Sequence, residues 1–262
     1  MMITVLICFG AFKSLSQDLP SADRIIKKVN ARDEGAYVTQ KFTMELIDRR
    51  GKKQFRETVS YRKDYQGERK TVLFFSSPTN VKGTGFLTFD YHDGNKDDDQ
   101  WLYLPALRKT RRISAANRGD YFLGTDLTYE DIKKGTKINT EDYTFKTLKE
   151  DKVGSTQCYV VEAIPVNDKI AKELKYGKVH FYIDPEKWIS VKNKYWDIAG
   201  NSLKTTEIKA LELIDGIWTV QQIDAVNHKT SHRSVLVFSD SDYQTALEDD
   251  LFVEQALLRG HR

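Results

Sequence analysis

The chain has 262 residues, of which 40% are hydrophobic and 30% charged, so it is long enough to bury a substantial core and is not a disordered tail. Its 41 Lys and Arg residues nearly balance 38 Asp and Glu residues, and a formal charge of +3 does not supply the strong field of a typical nucleic-acid binder. Aromatic residues make up 11% of the chain and there are only five prolines, which favours half-buried strands and predicts a mostly β protein.

Residues 1–16 are predicted to be a secretory signal peptide. The apolar run from Ile3 to Phe12 is too short to cross a bilayer but matches the apolar region of a signal. Ser14 and Ser16 occupy the small-residue positions expected before a cleavage site. The prediction leaves residues 17–262 as one mature domain outside the cytoplasm, and a buried N-terminal strand is the alternative.

The mature chain is expected to begin with a short amphipathic helix. Ser21 is a favourable N-cap, and the apolar residues that follow it repeat at helical spacing. These residues are Ala22, Ile25, Ile26 and Val29. The pattern predicts a helix that covers one face or the mouth of whatever follows.

From residue 37 onwards the hydrophobic period changes to two, which is typical of strands that are wet on one side. Polar turns at 49–52, 64–67, 184–186, 199–201 and 214–216 separate successive strands. The predicted strands are 37–46, around 55–61, 71–75, 85–91, 100–104, 143–148, 157–164, 178–183, 190–196, 202–213, 217–226 and 234–238. Short helical stretches are predicted at 127–132 and 247–258.

Roughly a dozen antiparallel strands joined as hairpins must protect their edges by forming a sandwich or a complete or partial barrel. The chain has no Pro/Gly/Ser-rich linker and no strand–helix–strand alternation that would indicate a parallel sheet. The sequence therefore predicts a mainly β domain with a few helices packed against a curled sheet.

Several residue clusters resemble chemical sites only weakly. The acidic loop 92–99 lacks the regular spacing of a calcium loop, so a solvated turn is favoured. His228 and His232 form a minimal metal pair at best, and the acidic pairs 130–131 and 141–142 are typical of solvated surfaces. Cys158 is the only cysteine of the predicted mature chain. No catalytic residue, metal site or cofactor is predicted.

A basic cluster at 108–112, followed by Arg118, allows three interpretations. It is a solvated hairpin, a contact for lipid headgroups or a protein partner, or a contact for nucleic acid. The nearby Trp101 and Tyr103 would offer stacking surfaces, but the acidic loop just upstream argues against nucleic acid. No nucleic-acid partner is predicted.

One stretch resembles the characteristic segment of the outer-membrane lipoprotein-sorting (LolA-like) family. It consists of a Trp-Leu-Tyr-Leu-Pro-Ala strand, a basic turn and a Tyr-Glu-Asp element. These are Asp99-Gln100-Trp101-Leu102-Tyr103-Leu104-Pro105-Ala106-Leu107-Arg108-Lys109-Thr110-Arg111-Arg112-Ile113-Ser114 and Gly124-Thr125-Asp126-Leu127-Thr128-Tyr129-Glu130-Asp131. The resemblance extends from the N-terminal helix to Asp250-Leu251-Phe252 and so spans nearly the whole mature chain.

The resemblance implies an incomplete antiparallel β-barrel whose helices lid a hydrophobic cavity. It implies a non-enzymatic periplasmic carrier that shields the acyl chains of lipids or lipoproteins on their way to the outer membrane, with only peripheral membrane contact. It also suggests an inner-membrane transporter of the RND or MMPL type as a partner. The cargo is not specified by the segment that carries the resemblance.

Alternate residues of the first strand are predicted to line the acyl-chain cavity, because Met and Phe adapt to flexible chains. These residues are Val38, Phe42, Met44 and Leu46. The same stripe would look identical in an ordinary packed core.

The strand 100–104 has two faces, with Trp101 and Tyr103 on one and two leucines on the other. Alternation alone does not distinguish which pair points inward, and we assign Trp101 and Tyr103 to the cavity. Arg111 and Arg112 are predicted to contact a headgroup or a partner.

Two other functions remain open. A binding or scaffolding module would use the same fold with a filled interior and bind no lipid. A hydrolase would need two or three titratable groups with perturbed pKa values in one cleft.

Overall fold

One antiparallel sheet of 13 strands organises the part of the chain that the computed structural model describes, residues 19–93 and 96–260. The strands are β1 (Tyr37–Ile47), β2 (Lys53–Tyr65), β3 (Glu68–Ser77), β4 (Gly85–Tyr91), β5 (Asp99–Leu104), β6 (Lys109–Arg112), β7 (Tyr143–Val153), β8 (Thr156–Pro165), β9 (Lys178–Asp184), β10 (Ile189–Trp196), β11 (Ser202–Ile214), β12 (Ile217–Asn227) and β13 (Arg233–Asp242). The helices are α1 (Ala22–Asn30), α2 (Tyr129–Lys134), α3 (Asp168–Leu174) and α4 (Glu254–Arg259). The predicted signal peptide, residues 1–16, lies outside the described residues.

The sheet is an incomplete barrel. Apart from β6 and β7, strands that follow each other in sequence pair with each other, and β1 also pairs with β13, so the first and last strands lie side by side. The two edges are β6 and β7, which do not pair with each other. The segment 113–142, which includes α2 and which we call the crossing segment, connects these two edges. The predicted mainly β, incomplete antiparallel barrel with helices is confirmed.

The N-terminal helix forms as its sequence predicts. The hydroxyl of Ser21 accepts a hydrogen bond from the main-chain N–H of Arg24, and the four predicted apolar residues are all buried. They pack against side chains of β7 to β10, including Val161 and Phe181. Helix α1 therefore covers the half of the sheet that contains β7 to β10. None of the helices in the described part of the chain has the length and apolarity needed to cross a bilayer.

In the other half of the sheet, β3 and β4 are buried on both faces. On the inner face, Phe42, Met44 and Leu73 pack against the crossing segment through Phe122 and Leu127. On the outer face, the C-terminal segment covers the sheet with buried apolar side chains, which are Leu247, Phe252 and Leu257. Burial on both faces explains why β3 contains an uninterrupted apolar run rather than an alternating one.

Three elements differ from the prediction. The helical stretch predicted at 247–258 is a single helical turn at Asp249–Leu251 followed by the short helix α4. Residues 109–112, expected as part of a turn, form edge strand β6, and the chain instead turns at 105–108. Helix α3 was not predicted. The side chain of Asn167 caps it, but the helix has only seven residues and one fully buried side chain, Leu174, so no apolar periodicity is visible.

Gly119 allows a close approach between the crossing segment and α3. Its N–H donates to the carbonyl of Glu173 at 3.0 Å, and a Cβ would lie 2.4 Å from that oxygen and 2.6 Å from the carbonyl of Leu174. These contacts are with main-chain atoms, so a side chain at this position would push the two segments apart.

We expect Gly119→Ala to lower the free energy of unfolding by about 2 kcal/mol, as overpacking does, in urea titrations followed by circular dichroism. The matched control is Gly51→Ala, where φ is +80° but no atom lies within 4 Å of the added Cβ. The control should cost about 1 kcal/mol from backbone strain alone. Equal losses for the two variants would contradict the close approach.

Candidate functional site

A cavity of about 300 Å³ lies between the inner face of the sheet and the crossing segment. Its volume is at the lower end of the range for small-molecule sites, about 300–1,000 Å³. The apolar lining comes from the sheet and from residues 127–138, and it consists of Val38, Phe42, Leu73, Leu127, Ile132, Ile138, Phe181, Val191, Ile208, Ile217, Val220, Ile223, Leu236 and Phe238. The cavity is therefore walled by aliphatic and aromatic side chains on most sides.

Along β1, the residues that the strand register places side by side on the inner face change from charged to apolar. Val38 pairs with Arg62, and Arg62 pairs with Thr71 on β3. Four residues further along β1, Phe42 pairs with Phe238 on β13, and their ring centroids are 5.2 Å apart. The cavity thus has a polar end near the start of β1 and an apolar end near Phe42.

A cluster of buried charges occupies the polar end, and we call it the Glu34 cluster. It consists of Arg32, Glu34, Arg62, Asp64, Arg69 and Lys137. The carboxylate of Glu34 accepts hydrogen bonds from Arg32 and from Arg69, the latter at 2.7 Å. Arg69 also donates to Asp64 at 2.6 Å, and Arg62 donates to Asp64 at 2.9 Å. Two carboxylates are shared by four cationic side chains.

The charges of this cluster keep Glu34 ionised, and the pKa of Arg69, although burial lowers it, is raised overall by Asp64 and Glu34. Burial alone would raise the pKa of Glu34, but the charges of Arg69, Arg32 and Lys137 lower it to about 2. Conversely, burial lowers the pKa of Arg32, Arg62 and Lys137, because nearby carboxylates compensate their charges only in part. Glu34 is therefore ionised throughout the ordinary pH range.

Polar contacts hold the crossing segment over the cavity. The ammonium of Lys204, on β11, is fully buried and pairs with the Asp131 carboxylate on α2. It also donates to the carbonyl of Asp126 at 3.1 Å and lies 4.7 Å from the ring centroid of Tyr195. Burial lowers the pKa of Lys204, and the charge of Asp131 opposes that shift. Further along the segment, Thr136 accepts a hydrogen bond from Arg32 at 2.6 Å.

The predicted cavity residues of β1 separate into two groups. Val38 and Phe42 line the cavity. Met44 and Leu46 lie further along the same face, buried in the packed core with Phe42 rather than on the cavity wall. Their role in binding an acyl chain stays a prediction.

Trp101 and Tyr103 do not line the cavity. They lie on the outer face, where they pack with Phe252 and the rest of the C-terminal segment. Leu102 and Leu104 are the residues of this strand that pack in the inner core. The assignment of Trp101 and Tyr103 to the cavity is corrected, because the C-terminal segment provides an apolar partner for the outer face as well.

The basic residues assigned to a headgroup or partner lie on the exposed edge strand β6. Arg111 and Arg112 are both exposed, and Arg112 pairs with Asp99 on the neighbouring strand. The adjacent turn presents Leu107, whose exposed fraction is 63%. An apolar residue and several cations therefore share this edge.

The weak candidates from the sequence have partners within the protein. Asp98 of the acidic loop pairs with Lys133, and His232 lies 2.6 Å from the carboxylate of Asp126. The loop residues 94–95 lie outside the described part of the chain. Of the acidic pairs, Glu130 lies 2.8 Å from Lys133, and Asp142 lies 2.8 Å from Arg118. These carboxylates act as ion-pair partners around the crossing segment.

Comparison with known proteins identifies relatives that match most of the chain. A protein-family model described as "Uncharacterized protein" matches residues 67–259. An outer membrane lipoprotein-sorting protein domain from Vibrio parahaemolyticus is 30% identical with a TM-score of 0.82, covering 91% of this chain and 98% of that one. None of the curated proteins compared with the chain matches it.

Two further solved structures are similar. A DUF1329 family protein from Desulfovibrio piger is 26% identical with a TM-score of 0.81, covering 89% of this chain and 96% of that one. A LolA superfamily protein from Nitrosomonas europaea has a TM-score of 0.68 at 19% identity, covering 91% of this chain and 100% of that one. The last likeness concerns the fold alone.

The Glu34 cluster predicts a specific dependence of stability on pH. Because the pKa of Glu34 is about 2 in the folded state against an ordinary value of 4.5, its ionised form stabilises the fold above about pH 4.5. This contribution, on the order of 3 kcal/mol, is lost as the pH falls towards 2.

We therefore expect Glu34→Gln to lower the free energy of unfolding by on the order of 3 kcal/mol at pH 7, and by less than half as much at pH 3. Urea titrations at the two pH values measure both differences. The exposed Glu212→Gln is the control and should cost less than about 0.5 kcal/mol at either pH. A cost for Glu34→Gln that is the same at both pH values would contradict the assigned ionisation.

Proposed function

The chain belongs to the outer-membrane lipoprotein-sorting, LolA-like family, and on that premise we propose that it is a non-enzymatic carrier of lipid or lipoprotein acyl chains in the periplasm. The observation that supports this proposal is the apolar cavity between the sheet and the crossing segment. A carrier of this kind shields acyl chains from water on the way to the outer membrane and needs no covalent step.

The physical basis is the burial of methylene groups. Each buried methylene contributes about 0.8 kcal/mol, so roughly ten methylenes inside the cavity would gain about 8 kcal/mol. The apolar end near Phe42 and Phe238 supplies the surfaces for this burial. Both residues are aromatic, and their neighbouring rings give an apolar surface against which a flexible chain can pack.

The exposure and positive charge of edge strand β6 support the proposal that the protein contacts the membrane surface. Arg111 and Arg112, together with the exposed Leu107, combine cations with an apolar side chain, as peripheral membrane-binding segments do. We propose that this edge docks on anionic lipid when cargo is collected or delivered. An inner-membrane transporter of the RND or MMPL type is the proposed source of the cargo.

Filling the cavity tests the carrier function without placing charge in the core. We expect Val38→Trp to occupy part of the cavity and to weaken binding of a fluorescent fatty acid at least about tenfold, while the far-UV spectrum is unchanged. Fluorescence titration of the mature chain measures the affinity.

The matched control is Val237→Trp, which adds the same side chain at an exposed position of β13 and should leave the affinity unchanged. If Val38→Trp binds the fatty acid as tightly as the wild type does, the cavity is not the acyl-chain site. If the wild-type chain binds no fatty acid at all, the scaffolding function with a filled interior replaces the carrier.

The membrane contact is tested by reversing charge at the edge strand. Since each basic residue near an anionic surface contributes about 1 kcal/mol, Arg111→Glu combined with Arg112→Glu should weaken binding to phosphatidylglycerol vesicles about tenfold or more. Co-sedimentation with vesicles measures the bound fraction.

Arg49→Glu combined with Arg50→Glu changes the same charges at the exposed β1–β2 turn and serves as the control. The control should retain most of the vesicle binding. Equal losses in the two double variants would indicate a non-specific effect of net charge and would remove β6 from the docking surface.

A further inference from the structure

We propose that the Glu34 cluster binds the anionic group, a carboxylate or a phosphate, of an amphiphile whose acyl chain occupies the apolar part of the cavity. This inference rests on the proposed carrier function and adds the chemical class of the cargo, an acyl lipid with a negatively charged head.

The first observation is an excess of buried positive charge. Four cations, Arg32, Arg62, Arg69 and Lys137, face two carboxylates, those of Glu34 and Asp64, which leaves two positive charges without an anion. The exposed fractions of the four cationic side chains are 9%, 13%, 11% and 18% in that order. Buried charge without a counter-ion is costly, so a bound anion would relieve an existing cost.

The other acidic residues of the cavity wall do not supply the missing charge. Each of them lies close to a different cation outside the cluster. The pairs are Glu130 with Lys133, Asp131 with Lys204, Asp142 with Arg118, and Glu207 with Lys192. The excess at the polar end is therefore local.

The second observation is a buried donor without a partner. The Nε atom of Arg32 is buried and has no hydrogen-bond partner among the described residues, whereas its Nη atoms donate to Trp188, Glu34 and Thr136. Arg32 lines the cavity. A buried unsatisfied N–H on a cation is a position where an anionic oxygen would be bound strongly.

The geometry connects the cluster to the apolar end of the cavity. Arg62 pairs across the sheet with Val38, and Phe42 lies four residues further along β1, which corresponds to about 13 Å. Val38, Leu73 and Phe42 line the wall between the two ends. A head bound at the Glu34 cluster would therefore leave its chain directed along an apolar wall.

The experiment compares two probes that differ only in the charge of the head, cis-parinaric acid and its methyl ester, with the mature chain at pH 8. We expect the acid to bind at least about tenfold more tightly than the ester. The double variant Arg32→Gln with Lys137→Gln should bind the acid no more tightly than the ester. Its affinity for the ester should stay within about twofold of the wild-type affinity. Lys41→Gln, an exposed residue on the outer side of β1, is the control and should keep the wild-type preference.

The binding of the two probes by the wild-type chain separates the anionic site from the carrier function. Equal binding of acid and ester by the wild type overturns the anionic site and leaves the carrier function in place. Failure to bind either probe overturns the carrier function itself. If the double variant does not fold, the ratio of acid to ester in the wild type decides the question alone.

A third ligand separates a lipid head from a free anion. A monoacylglycerol phosphate should bind far more tightly than inorganic phosphate, because the acyl chain adds its burial in the cavity. Equal affinities for the two would show a site for free phosphate and would overturn the assignment of an amphiphile.

Discussion

A 13-stranded sheet that curls without closing must cover its inner face with other elements of the chain. Helix α1 covers the half that contains β7 to β10, and the crossing segment 113–142 covers the half that contains β1 to β5. The crossing segment does not fill the space beneath it completely, and the cavity remains between this segment and the inner face of the sheet. The cavity is therefore a consequence of how the crossing segment covers this open sheet.

The crossing segment is held by ion pairs as well as by apolar packing. Phe122 and Leu127 pack into the inner core, whereas Asp131 and Lys137 pair with charged groups of other elements. The same segment thus brings Lys137 to the polar end of the cavity and Ile132 to its apolar wall. One stretch of chain gives the cavity both its cover and its polarity gradient, which suits an amphiphilic cargo.

The sequence predicted the strands well because their alternation and turns are local. Alternation alone puts Val38 and Phe42 on one face of β1, but symmetry around the predicted turn 49–52 would pair Val38 with Lys63 rather than with Arg62, its partner in the structure. The inward face of β5 could not be predicted, since the outer face is covered by residues that follow in sequence by about 150 positions, among them Phe252. The ion pair between Glu34 and Lys137 likewise depends on the tertiary fold, so local sequence patterns could not predict it.

The central claim, that the cavity holds an acyl chain, is tested most directly by native mass spectrometry of the mature chain purified from an exporting host, combined with lipid extraction. We expect a mass increment that corresponds to one acyl lipid and disappears on delipidation. An empty chain that also takes up no added fatty acid would contradict it.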